Sequence, residues 1–438
     1  EEIARVAGEN ILRFLRTLRD AATEINPDFR VITRLESFYG EHDTVWPGLS
    51  DRIDVEANTL LARGWVEIPY RHPKYEDIKE IAGTPYQYYL DEKEKPFLDE
   101  LDKKGSAIHI NISHGGCLQM FEPLIGIPYP WLTYSKIKSM KDIGVKYLSH
   151  LGGINPPDLA PYSINHEIFK EFQFNPTMNI DESIAGIAKK WAGEENYKNL
   201  VEAWNYTEEA IKSFPILTVL YCIYGFTWYR LWTRPYVPNI EAIPETERRY
   251  YEEFMCTTPH NPNNVDLAKD VLFELATQEK AEKTVKRMDE NVWQNIEKAI
   301  DILDKSFKST GAEIFYDQRE RVKALKCWFK TYRNVAAWIA GVHGYLNSKS
   351  DADKKRYREM VAEMMKSEIN NSLELIELWE TTKIEFMAIS DVGETPLIYG
   401  EDLGKQLRTK IDLMKKHQND EPFIDPDYMM KRAELIWA

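Results

Sequence analysis

Val31-Ile-Thr-Arg-Leu-Glu-Ser-Phe38 runs directly into Tyr39-Gly-Glu-His-Asp43. A β-branched, mainly apolar run that empties into aromatic, acidic and glycine residues reads as a buried strand with a polar exit. Three later stretches repeat the pattern. Gly64-Trp-Val-Glu-Ile-Pro-Tyr70 leads to Arg71-His-Pro73, Ala107-Ile-His-Ile-Asn-Ile-Ser113 to His114-Gly-Gly116, and Val145-Lys-Tyr-Leu-Ser-His150 to Leu151-Gly-Gly-Ile-Asn-Pro-Pro157. Each follows a helical or loop crossover, which predicts four parallel strands. Ligands of parallel α/β sheets sit at the carboxyl ends of the strands, so these exits predict a sugar-sized pocket.

The segments around the strands read as helices. Ala4 to Glu24 carries Val6, Ile11, Phe14, Leu15, Leu18 and Ala22 near helical spacing and is ended by Asn26-Pro27-Asp28. Asp51 to Arg63, acidic at its start and basic near its end, predicts a second helix. Tyr75 to Lys104 reads as a loop and helical crossover, and Ser135 to Ile143, closed by Gly144, as the helix before the fourth strand. The fold class that follows is α/β plus all-α: a (β/α)8-type barrel half of four parallel strands over residues 1–176, then a helical domain. Four strands cannot close a barrel alone. With no Met at position 1 and a start inside a helix, the chain is expected to be the carboxyl-terminal portion of a larger barrel, completed by an upstream segment or a second chain.

Residues 177–276 read as a helical and loop-rich connection, with Asp181 capping Glu182 to Ala192, a helix over Tyr197 to Ser213, and a proline-rich stretch from Arg234 to Asn264. Residues 277–438 read as a bundle of long helices with a carboxyl-terminal tail: Thr277 to Phe307, Glu313 to Leu346, Asp351 to Met387 and Leu403 to Lys416. In the second of these, Val322, Leu325, Phe329, Tyr332, Ala336, Ile339 and His343 mark one buried stripe.

Composition narrows the function classes. With Asp+Glu 71 against Lys+Arg 56 the formal net charge is -15, which leaves no basic surface for nucleic acid. The apolar run Phe214 to Trp232 contains Arg230, Gly225 and several Tyr and Thr, so a buried core segment is expected rather than a membrane span. Cys117, Cys222, Cys256 and Cys327 lie far apart with no CxxC pair, which fits reduced thiols in the cytoplasm. Long exposed helices leave room for a homo-oligomer. The 12 Trp and 24 Tyr lean toward a carbohydrate partner, because aromatic faces stack on sugar rings.

Glycoside hydrolysis needs two carboxyl groups, an acid and a base or nucleophile. Glu36 and Glu41 cluster with Asp43 at the first strand exit, and Glu67 stands in the second candidate strand; these three glutamates are the candidate catalytic groups. Glu36 shares a strand face with Arg34 and Phe38, so an interior ion pair with Arg34 is the structural alternative. Arg34, His72, Asn111, His114, His150 and Asn155 suit substrate hydroxyls, while Tyr39, Trp46 and Trp131 offer ring faces or packing. His72, His114 and His150 with Glu36 define an alternative, a metal-dependent barrel enzyme. They lack the i, i+4 or HxH spacing of a ligand set, so no metal is assigned. A non-catalytic carbohydrate-binding protein is the third reading. No GxGxxG, P-loop or GxSxG occurs, and no cofactor is expected.

Residues 145–193 add a resemblance. Val145-Lys-Tyr-Leu-Ser-His-Leu-Gly-Gly153, Asn155-Pro-Pro157, the Phe172-Gln-Phe-Asn-Pro176 element and Ile180-Asp-Glu-Ser-Ile-Ala-Gly-Ile-Ala-Lys-Lys-Trp191 resemble the last barrel strand and the junction to the helical domain in TIM-barrel glycoside hydrolases of the α-glucuronidase and β-N-acetylhexosaminidase-like kind. The resemblance implies a (β/α)8 hydrolase with a helical carboxyl-terminal domain. It supplies no catalytic assignment, because the Asp-Glu pair of the hexosaminidase-like enzymes would fall before Glu1.

Overall fold

A computed structural model of the chain describes residues 1–34, 40–56, 65–69, 79–83, 94–113, 124–142, 144–151, 160–214, 232–252, 256–258, 261–265, 278–387 and 402–423. It is mostly helical, with a small four-stranded parallel sheet near its start. Helix α1 (Glu2–Ile25) leads to strand β1 (Val31–Arg34), and helix α2 (His42–Gly48) to β2 (Ile53–Glu56). Strands β3 (Trp65–Pro69) and β4 (Lys79–Gly83) follow, then α3 (Glu94–Lys103), β5 (Ile108–Ser113), α4 (Pro130–Asp142) and β6 (Tyr147–Leu151). The parallel sheet has the order β1-β2-β5-β6.

Two sequence expectations fail here. The second parallel strand is Ile53–Glu56, not Gly64–Tyr70, and the helix expected over Asp51 to Arg63 gives way to it. Ile53 and Val55 are fully buried at alternate positions, and Asp54 between them is buried as well. An acid inside a strand is tolerated because it is fully partnered. It takes both Nε and Nη2 of Arg30 at 2.7 and 2.6 Å, the Ala107 N–H at 2.8 Å, and His109 Nε2 at 2.8 Å. Trp65–Pro69 instead pairs antiparallel with Lys79–Gly83, Trp65 opposite Gly83 and Glu67 opposite Ile81. Glu67 is therefore on a two-stranded ribbon and not in the parallel sheet.

Alternation gives the parallel sheet two unlike faces. Val31, Thr33, Ile53, Val55 and Ile108 are buried on one, with α1 packed over β1 and β2. Ile32, Asp54, His109 and Tyr147 stand on the other. Tyr147 stacks on His109 with ring centroids 4.5 Å apart and 20° between the planes.

The chain continues through helices α5 (Ile164–Phe174), α6 (Ile180–Ala192), α7 (Tyr197–Ser213) and α8 (Glu245–Glu252), a short hairpin of β7 (Cys256–Thr258) and β8 (Asn261–Val265), and helices α9 (Gln278–Asn291), α10 (Trp293–Thr310), α11 (Glu313–Asn347), α12 (Asp351–Thr381) and α13 (Leu403–Lys416). Asn179, not Asp181, caps α6, accepting from the Asp181 and Glu182 N–H groups. The helix expected over Thr277 to Phe307 is interrupted once, at Val292, although Val292 N–H still reaches Met288 O and its own carbonyl takes Ile296 N–H. The expected stripe on α11 is too narrow. Ala324, Trp328, Val335, Ala337 and Trp338 are buried along with it, so α11 is wrapped on all sides and forms the axis of the helical part. Gly341 and Gly344 let α12 cross it closely: a Cβ there would lie 2.5 Å from Val361 and 2.3 Å from the Tyr357 ring.

The stretch Leu124 to Trp131 ties the sheet region to the helices. Arg321, on α11, binds Asp317 through Nε and Nη2 at 2.9 Å each and donates Nη1 to Ile125 O at 2.9 Å and Glu385 O at 3.0 Å. Asn165 accepts from Tyr129 N–H and donates to Ile127 O. Glu208 caps α4 by accepting the Trp131 and Leu132 N–H groups at 2.9 and 3.2 Å. The buried side chains form one cluster from Leu12 to Met414. Phe214 and Trp232, the ends of the apolar run, are both buried; residues 215–231 lie outside the described ones. No helix among the described residues is long and apolar enough to cross a membrane. Cys327 is buried, which pushes its thiol pKa up to about 12 and keeps it unreactive at neutral pH.

One buried group runs against stability. Lys136 on α4 is 5% exposed, with no hydrogen bond or ion pair among the described residues, and desolvation lowers its pKa to about 8. Its folded pKa is depressed, so the unfolded chain binds the extra proton between about pH 8 and 10.5, and stability rises with pH across that window. Lys136→Met is expected to stabilise the protein at pH 7 by up to about 3 kcal/mol and to flatten the rise by the share that Lys136 contributes, leaving that of Lys330 and Lys410, whose pKa values are lowered as well. Denaturant unfolding at pH 7 and pH 10 measures both, and an unchanged slope would contradict the assignment.

Candidate active site

The register of the parallel sheet aligns positions that the sequence keeps far apart. Arg34 pairs with Glu56, Glu56 with His109, and His109 with Tyr147, so one row of polar residues crosses all four strands. The next positions up the same face are Asn111 opposite Ser149, then Ser113 opposite Leu151. The row lies directly above Asp54, which anchors it from beneath. Burial alone would raise the Asp54 pKa, but Arg30, the Ala107 N–H and His109 together outweigh it and hold the carboxyl below its usual range. Asp54 thus stays ionised at neutral pH and accepts from His109 Nε2–H, which fixes the imidazole tautomer. An acid so committed suits a structural anchor and not a proton donor.

The candidate residues fall as follows. Glu36, Tyr39, His72, His114 and Asn155 lie outside the described residues. Arg34 ends β1 and Asn111 is central in β5, both on the polar face by alternation; their side chains lie outside the described ones. His150 pairs with Ile112, and its position alternates onto the opposite face, the one shared with Ile108 and Val55. Glu41 is half-buried just before α2, where its carbonyl accepts the Thr44 and Val45 N–H groups. Trp46 is half-buried on α2 and packs on the core. Trp131 opens α4; it packs on the core and donates its indole Nε1–H to Asp181 at 2.9 Å. Among the described residues no group of three His, Cys, Asp or Glu side chains comes together to hold a metal ion.

Sequence reasoning missed Asp54, Glu56 and His109 as members of the polar face. The signal present was the Ile53-x-Val55 alternation, masked by Asp51, Asp54 and Glu56, which imitate the acidic first turn of a helix.

No family model matches the chain, and no curated protein matches it. Among solved structures, the chain is similar to one described as a GH138 enzyme targeting pectin rhamnogalacturonan II, at a TM-score of 0.49 and 10% sequence identity. The similarity covers 93% of this chain and 56% of that one, so the chain spans little more than half the length of that structure.

Proposed function

We propose that the chain carries part of a glycoside hydrolase in which the four parallel strands belong to a (β/α)8 barrel and a carbohydrate binds over their carboxyl ends. The observation that carries this reading is the row Arg34, Glu56, His109, Tyr147, followed by Asn111 and Ser149, on one face of a sheet whose other face is apolar and buried. Interior polar rows with a rigid apolar backing are what a site for a polyhydroxylated ligand requires, and parallel sheets present ligands at that end. The strand exits and the resemblance of residues 145–193 to barrel hydrolases support it further.

In this reading Glu36, Glu41 and Glu67 remain the candidate acid and base or nucleophile, and Glu56 joins them from the end of β2. Arg34, Asn111 and His114 would bind hydroxyls, and Tyr39 would stack on the sugar. The test is turnover of a panel of aryl-glycosides and aryl-uronides. Glu36→Gln and Glu56→Gln, assayed on the substrate that is turned over, are expected to show a drop in kcat of about 100-fold for whichever residue does the chemistry. Near-normal kcat in Gln variants of all four glutamates rejects these assignments, and binding without turnover across the panel points to a non-catalytic sugar-binding protein.

A further inference from the structure

The polypeptide that returns from the carboxyl end of β5 to α4 is held by groups outside the sheet. Strand β5 ends at Ser113 and α4 begins at Pro130, a longer return than the few residues usual between a strand and its helix. A path of that length is not specified by its two ends. Leu124, Ile125, Ile127 and Tyr129 on this path are buried. Leu124 forms an antiparallel bridge with Met387, and Ile125 N–H reaches Phe386 O at 3.0 Å. Ile127 O and Tyr129 N–H close on Asn165 of α5, and the first turn of α4 closes on Glu208 of α7.

Arg321 is the centre of these holds. Its side chain is 1% exposed, and that of Asp317, one turn before it on α11, is 3% exposed. Asp317 takes Nε and Nη2, while Nη1 donates to both Ile125 O and Glu385 O. One guanidinium therefore locks together the returning chain, the segment after α12 and α11. Lost partners are costly here, because a buried donor left open bears the full cost of its desolvation. Gly126 shows how close the approach is. Its φ is +70°, and a Cβ there would lie 2.9 Å from Arg321 Nε and 3.0 Å from Cζ. Only glycine meets both demands.

We propose that Arg321 is a positioning residue for the site at the carboxyl end of β5, so that the downstream helices set that site jointly with the sheet. The inference rests on the carbohydrate-site reading for what the site binds, and on the geometry alone for the coupling. Strand β5 carries Asn111 and Ser113 on its polar face, and its last rung sets Ser113 opposite Leu151 of β6. Slack in the returning chain acts on that rung first, because the chain leaves the sheet there. With Arg321 in place the return has one course, and the rung is fixed. Without its fork the connection gains other courses, and the groups on β5 spread over a range of positions. A misplacement of about 1 Å can cost about 100-fold in rate.

Arg321→Lys keeps a charge against Asp317 but loses the planar fork that also reaches two carbonyls. Gly126→Ala pushes the returning chain off Arg321 and leaves the buried ion pair whole, so it reads the coupling even where Arg321→Lys unfolds the protein. Arg333→Lys is the control, the same change on the same helix, where Arg333 holds Asp289 of α9. In the first two variants, hydrogen exchange is expected to quicken at Ile125 and along β5 from Ile110 to Ser113. Amides of α10 and α12 should keep their wild-type rates, and Arg333→Lys should leave β5 unchanged. On whichever aryl-glycoside the wild type turns over, kcat in the two variants is expected to fall by up to about 100-fold, with KM unchanged. Exchange that quickens only from Leu124 to Gly126, or equally throughout the protein, overturns the proposal, as does an unchanged kcat beside a loosened β5. A wild type that turns over no glycoside rejects the hydrolase reading, and the exchange result still decides the coupling.

Discussion

Glu368→Ala is expected to cost about 4 kcal/mol of unfolding free energy, seen as a fall in the urea midpoint at unchanged slope. Glu368 on α12 and Lys410 on α13 form an ion pair in which both side chains are 0% exposed. The carboxylate also accepts Thr331 Oγ1–H at 2.8 Å and Asn334 Nδ2–H at 2.7 Å, and the ammonium donates to Trp232 O at 2.7 Å. Desolvation pulls the Lys410 pKa down, and Glu368 only partly restores it. Alanine removes the carboxylate that, among the described residues, pairs with this charge and strands two donors from α11 at the same time. Removing one partner of a buried pair is far more damaging than removing both. Glu368→Gln combined with Lys410→Met keeps an acceptor for Thr331 and Asn334 and leaves no charge, so the double variant is expected to recover most of the loss. A single-variant cost below about 1 kcal/mol would mean that water or rearrangement reaches this site, contrary to its burial.

The helical part was open to sequence reading because its signals are local. Tyr197–Ser213 and Leu403–Lys416 begin and end where periodicity placed them, since capping and 3.6-residue spacing depend on near neighbours. The full burial of α11 was not legible: Ala324 and Ala337 suit a helix whether or not a neighbouring helix covers them. In the sheet, pairing decides, and pairing partners are distant. Asp54 reads as a helix-start acid until Arg30, 24 residues before it, and His109, 55 residues after it, are seen to close around it. Trp65-Val-Glu-Ile alternates equally well in a parallel or an antiparallel pair, and its partner Lys79–Gly83 sits in a segment that reads as a crossover. The candidate site was legible in part for the same reason. Strand exits show residue types, and only the register reveals that Arg34, Glu56, His109 and Tyr147 make one row.

Asp54→Ala is expected to cost about 3 to 5 kcal/mol and to loosen the amino-terminal end of the sheet. Asp54 is 0% exposed and joins three strands or their approaches: Arg30 before β1, Ala107 before β5, and His109 within it. Without the carboxylate, Arg30 keeps its bond to Gly105 O at 2.9 Å, but the Ala107 N–H and His109 Nε2–H lose their acceptor. The pH dependence identifies the cause. The folded pKa of Asp54 lies below its ordinary value of 3.8, so its stabilising contribution is present above that value and is lost as pH falls through the folded pKa. The stability gap between wild type and Asp54→Asn should therefore be constant from about pH 5 to 8, begin to shrink below about pH 4 as the unfolded chain takes up the proton, and level off only below the folded pKa, where both folded chains carry a neutral group. A gap that persists undiminished into acid would assign the loss to packing instead of charge. Hydrogen exchange separates the two further, because Asp54→Asn should speed exchange at the Val31, Val55 and Lys146 amides, which bond across the lower rungs of β1, β2 and β5. Any substrate positioned by the row above those rungs would then be held by strands free to shift, so kcat in the Asp54→Asn variant should fall even though no atom of Asp54 reaches the proposed pocket.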